Sequence, residues 1–168
     1  KKFGVTSNTP AFGGKDIAID GLSNIYVTGI YRGTAKFANN ITITSANLCT
    51  FLAKLSSTNG SAIWARSATG NENDGKSLLV DNANNVYVAG QYRFASVSFG
   101  SFNLPAPTWI HYSDSYNCFL AKYSSAGNPL WATRTINTDH SGFFGGLNML
   151  FTYTAGKIGL YTEAENGL

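Results

Sequence analysis

Apolar and polar positions in this chain alternate in short runs, each closed by glycine, asparagine or serine. In Ile25–Arg32, IYVTGIYR, a strand's period of two puts Ile25, Val27, Gly29 and Tyr31 on one face and Tyr26, Thr28, Ile30 and Arg32 on the other. Both faces carry apolar side chains, as expected of a strand sandwiched between two further sheets. The stretch Phe51–Ala65, FLAKLSSTNGSAIWA, is an apolar run, a turn, then a run ending in Trp-Ala. It returns as Phe119–Ala132, FLAKYSSAGNPLWA. Each copy predicts a β-hairpin, with Asn59-Gly60 and Gly127-Asn128 at the reversal.

The repeat is wider than the hairpin. Lys15–Asp20, a turn, and Ile25–Arg32 are answered by Lys76–Asp81, a turn, and Val86–Arg93, so that Asp20/Asp81, Gly29/Gly90 and Arg32/Arg93 share one offset of 61 residues. Ala35–Leu48 is answered by the longer Val97–Asn117, which holds about six extra residues near 105–112. Four strands per unit, recurring in one order, predict an all-β protein of four-stranded antiparallel β-propeller blades, because one such sheet buries its faces only against a neighbour. A single β-sandwich gives no reason for whole units to recur. The expected organisation is the end of a preceding blade and a loop over 1–13, a blade over 14–73, a blade with the insertion over 74–137, and a degenerate partial blade over 138–168. The segment thus opens in mid-repeat and stops before a third FLAK hairpin. Trp64 and Trp131, at equivalent places, are expected to pack between blades.

These residues carry a family resemblance. DIAIDGLSNIYVTG and SLLVDNANNVYVAG, each followed by F-L-A-K and a Trp-Ala hairpin, resemble the bacterial β-propeller repeat often called SBBP. The likeness covers roughly residues 14–137. It implies tandem blades in a secreted or cell-surface bacterial protein, and it brings no catalytic residues with it.

Composition narrows the picture. Among 168 residues, charged side chains make up 12% and aromatic ones 14%, and glycine occurs 18 times. That profile fits a strand-rich fold and excludes a helical bundle. The net charge of +3 has no basic stripe behind it, so nucleic acid is not an expected partner. No apolar run approaches the length of a membrane-spanning helix. Cys49 and Cys118 stand at near-equivalent places in neighbouring repeats, and stacked sheets lie about 10 Å apart, beyond disulfide reach. Free thiols are expected.

Candidate chemistry is sparse. Asp20/Asp81 and Lys54/Lys122 recur, and recurrence favours a structural task over a site that is built once. The oxygen-rich Asp81–Asn85 turn lacks the glycine and terminal glutamate of a calcium loop and reads as an Asx turn. Glu72 and Asp74 read as a solvated loop. His111, Ser113 and Asp114 lie too close in sequence to supply a triad's geometry. No catalytic residue, metal site or cofactor is assigned.

The insertion is the one stretch with character that is not repeated. Trp109, His111 and Tyr112 are the candidate ligand-binding residues, suited to a glycan or protein contact, unless Trp109 folds back as a lid over the blade edge. The expected function is therefore a non-catalytic repeat segment of an extracellular or cell-surface bacterial protein, serving display, adhesion or protein and glycan interaction. Its expected partners are other blades or domains of a longer chain, or assembly partners. Two alternatives stand beside it: an accessory propeller of an extracellular enzyme whose active site lies elsewhere, and a subunit of a filament or multi-subunit assembly.

Overall fold

The computed structural model describes residues 4–37, 41–107, 116–135, 147–154 and 157–164, with side chains over 11–37, 41–107 and 116–135. Every helix or strand element among the described residues is a strand. The first sheet is antiparallel and runs in chain order through β1 (Gly4–Ile19), β2 (Ile25–Lys36), β3 (Thr42–Leu55) and β4 (Ala62–Ser67). The second begins with β5 (Asn73–Val80) and β6 (Val86–Tyr92). A small hairpin, β7 (Val97–Phe99) and β8 (Phe102–Leu104), interrupts it before β9 (Asn117–Tyr123) and β10 (Pro129–Arg134) complete it. Its order, β5-β6-β9-β10, is that of the first sheet with the β7–β8 hairpin set aside. A two-stranded antiparallel sheet follows, β11 (Leu147–Thr154) and β12 (Lys157–Ala164). The chain is all-β, built of open four-stranded antiparallel sheets, as an incomplete propeller requires.

The two FLAK hairpins are β3–β4 and β9–β10. Their turns differ by one residue. Ser56 N–H donates to Ser61 O in the first, whereas Ser124 N–H donates to Asn128 O in the second. The repeated glycine in mid-strand has a steric cause. A Cβ on Gly29 would lie 1.9 Å from Gly13 O, and one on Gly90 would lie 2.1 Å from Asp74 O. In each sheet the first strand shifts register at that point and crowds its neighbour.

Two departures from the sequence reading stand out. Residues 4–13, read as the end of a preceding blade and a loop, join β1 and pair with β2 from Gly4↔Lys36 to Gly13↔Ile30. The polar, proline-bearing stretch 7–10 that looks like a loop is absorbed as a register shift between Thr6 and Ala11. The second departure is β7–β8. Where the first sheet continues its β2–β3 ribbon to Lys36↔Thr42, the second ends β6 at Tyr92 and folds this hairpin onto the core. Phe99 meets Phe119 at 4.7 Å between ring centroids, and Tyr92 Oη donates to Pro105 O at 2.9 Å.

The main core lies between the two sheets. Tyr26, Leu52 and Trp64 of the first pack with Leu78, Val86, Val88, Phe119, Ala121 and Tyr123 of the second. A second cluster, centred on Tyr31, Cys49 and Phe51, lies on the far face of the first sheet, where Phe12 stacks on Phe51 at 4.8 Å. Both cysteines are buried free thiols.

Candidate functional site

The repeated polar residues converge on one arrangement, made twice. In the turn after β1, Asp20 Oδ1 accepts from the backbone N–H groups of Leu22 (2.9 Å) and Asn24 (2.8 Å), which closes an Asx turn. Asn24 Nδ2 donates to Asp20 Oδ2 at 3.1 Å, and Lys54 Nζ reaches the same oxygen at 3.0 Å from β3. The Asp20 side chain has no solvent exposure. A buried charge is tolerated only when paired and hydrogen-bonded, and this one is both. Lys54 Nζ also lies over the Tyr26 ring, 4.9 Å from its centroid.

The second sheet repeats the arrangement. Asp81 Oδ1 accepts from the N–H groups of Ala83 (3.0 Å) and Asn85 (2.8 Å), Lys122 Nζ lies 3.5 Å from Asp81 Oδ2, and the same ammonium lies 4.7 Å from the Tyr87 centroid. Tyr26 meets Trp64 at 5.9 Å and 66°, and Tyr87 meets Trp131 at 5.9 Å and 65°.

Electrostatics follow the geometry. Burial pushes the Asp20 carboxyl up, but the Lys54 ammonium and the hydrogen bonds from Asn24 and Leu22 together outweigh it and hold it at about 2. Burial likewise pulls Lys54 down, and Tyr26 and Asp20 more than restore it. Asp81 is held below the usual carboxylate range against its own burial by Asn85, Tyr87 and Lys122. Lys122 is lifted chiefly by the Tyr87 hydroxyl, with Asp81 adding to it.

The first arrangement grips the second sheet by its hairpin turn. Trp64 Nε1 donates to Ser125 O at 3.1 Å, with Lys54 Nζ 3.5 Å from the same oxygen. Arg66 Nε donates to Gly127 O at 2.8 Å. Gly127, at φ +79°, lies flat on the indole, where a Cβ would come within 2.8 Å of Trp64 Cδ2. Elsewhere along the seam, Asp16 Oδ2 accepts from Leu78 N–H (2.7 Å) and Ser77 Oγ (3.0 Å), and Gly21 N–H donates to Asn84 Oδ1 at 3.0 Å. Trp64 is 7% exposed as a result. Trp131, expected between blades, is 36% exposed, and no hydrogen bond to its indole N–H is found among the described residues.

Sequence reasoning picked out Asp20, Lys54, Trp64 and their copies as structural, and the structure brings each set together. It missed Arg66 and Asp16, whose counterparts in the second sheet are Thr133 and Ser77, so repetition carried no signal for them. Trp109, His111 and Tyr112 lie outside the described residues. The nearest described residue, Tyr116, helps to line a recess of about 150 Å³ with Glu72, Asp74, Gln91 and Arg93. There Glu72 pairs with Arg93, and Asp74 pairs with Lys76 at 2.7 Å. Asp74 and its neighbours thus form a strand and a recess rather than the solvated loop expected. Asp74 Oδ1 and Gln91 Oε1 are buried without a partner, so the recess holds unmet acceptors. No three His, Cys, Asp or Glu side chains converge among the described residues, and no helix there is long and apolar enough to cross a membrane.

Four-stranded antiparallel sheets stacked face to face, each carrying the same Asp-Lys-Tyr-Trp arrangement, define a propeller-blade protein. No family model matches the chain. Over 133 residues it is 29% identical to an uncharacterized WD repeat-containing protein of Acanthamoeba polyphaga mimivirus, a match that takes in 72% of this chain. The chain spans about 9% of the length of that relative.

Proposed function

We propose that this chain is a non-catalytic propeller-type repeat segment whose work is protein interaction. The observation that carries this reading is the fate of its conspicuous charged side chains. Asp20 is spent on fixing Lys54, and Lys54 and Arg66 reach the carbonyls of the next sheet's hairpin turn. The similarity to a WD repeat-containing protein supports the same class. The finer reading is a bacterial repeat of the SBBP type in a secreted or cell-surface protein, used for display, adhesion or protein and glycan contact. It rests on the sequence resemblance. Its contact residues are Trp109, His111 and Tyr112, presented by the insertion that distinguishes the second blade from the first.

The test is a Trp109→Ala/Tyr112→Ala double variant screened on glycan arrays and in pull-downs against surface proteins, with thermal melting in parallel. Loss of a wild-type ligand at an unchanged melting temperature supports the reading. A large fall in melting temperature assigns Trp109 to a lid over the blade edge instead.

A further inference from the structure

The second blade repeats the clamp of the first, but among the described residues no hairpin turn lies in its grip. Lys122, Asp81, Tyr87 and Trp131 already hold the arrangement seen around Trp64, including the 5.9 Å edge-to-face contact of Tyr87 with Trp131. The donors that meet Ser125 O in the first blade have their counterparts in Lys122 Nζ and Trp131 Nε1. These find no carbonyl among the described residues, and Trp131 is 36% exposed. Independently, β11 packs beside β5 and β6 as β5 packs beside β1 and β2, which places β11–β12 as the first half of a further blade. Among the described residues β12 pairs with β11 alone, whereas β6, its counterpart, also pairs with β9.

We infer that β12 and the Trp131 clamp together form an acceptor for one β-hairpin of the β9–β10 type. Its first strand adds to the edge of β12 opposite β11, and its turn lays a carbonyl on Lys122 and Trp131 and a glycine on the indole. Main-chain pairing along an exposed edge supplies affinity, and the clamp supplies register and selectivity. The occupant is defined by chemistry: a hairpin turn with glycine at the position of Gly127, because any side chain there strikes the indole at the distance seen for Gly127. A second copy docking its whole first sheet is not the occupant, since β11 and β12 already take the place of such a sheet's first two strands. This inference rests on the blade reading above. That reading fails separately, if Trp64→Ala leaves stability untouched.

The test is calorimetric titration of the 168-residue chain with a synthetic peptide spanning Asn117–Thr135, its Cys118 replaced by serine. Saturable one-to-one binding is expected. It should weaken about tenfold or more when the peptide carries Gly127→Val, and by a similar factor when the protein carries Trp131→Ala. The peptide variant needs no refolding of the protein, so a poorly folded Trp131→Ala chain leaves the test intact. No saturable binding up to about 1 mM peptide overturns the proposal. So does binding indifferent to the peptide's glycine. Self-association of the wild-type chain that Trp131→Ala abolishes and the peptide does not compete for would assign the surface to a second copy, and the proposal fails.

Discussion

Two tryptophans with the same neighbours end in different circumstances. Trp64 and Trp131 each end a FLAK hairpin and meet a tyrosine edge to face at 5.9 Å. One is 7% exposed beneath Gly127 and bonded to Ser125 O; the other is 36% exposed. The clamp is therefore built within a blade, from its own Asp, Lys, Tyr and Trp. The partner completes it but does not assemble it. What one blade contributes to the next is mostly main chain.

The comparison breaks first at the tryptophans. Trp64→Ala should cost about 3–5 kcal/mol in urea unfolding, because it opens a cavity at the seam. Trp131→Ala should cost less than half of that, and equal losses would show that the second clamp is filled. The lysines come next. Lys54→Ala strands the Asp20 carboxylate where it has no solvent exposure and should cost about 3 kcal/mol, while Lys122→Ala, at a better hydrated pair, should cost about 1 kcal/mol or less.

Glycines make the third contrast. Gly127→Ala strains a left-handed φ and strikes Trp64, for about 2 kcal/mol. Gly60→Ala meets nothing within 4 Å and should show only the φ penalty, about 1 kcal/mol. Thermal melting of the two variants side by side checks this.

The last contrast is in pH. Asp20 titrates at about 2 in the folded chain and near 4 when unfolded, so its contribution is complete above about pH 4 and drains away as pH falls toward 2. Asp20→Asn should flatten that part of the acid limb in stability measured against pH. An unchanged limb would remove Asp20 from the account.

Much of this was legible because it was written twice. Repetition marked Asp20, Lys54 and Trp64 as structural before any contact was known, and the alternation in Ile25–Arg32 announced a strand covered on both faces. What repetition could not show were the acceptors. Ser125 O and Gly127 O are backbone atoms, and no side-chain pattern reports where a carbonyl points. Nor did it reach Arg66 and Asp16, which have no counterpart of the same type in the other copy. The β7–β8 hairpin escaped for another reason. Val97–Leu104 has the alternation of a strand pair, and only Tyr92, Phe99 and Phe119 meeting in space decide that it folds onto the core rather than extending the ribbon. The stretch 7–10 failed through local chemistry, its proline and polar residues masking a strand that resumes beyond them.

The one-residue difference between the two hairpin turns has a consequence for how such chains change over generations. A grip on carbonyls and a single glycine asks almost nothing of the other turn residues, which are Ala126 in one copy and Thr58-Asn59 in the other. A duplicated blade inherits a working seam on both sides from the moment it is copied, because the clamp and the turn travel in the same unit. Its loops are then free to diverge without renegotiating the joint, as the stretch between β6 and β9 has done. Blade number becomes a quantity that unequal recombination can raise or lower one unit at a time.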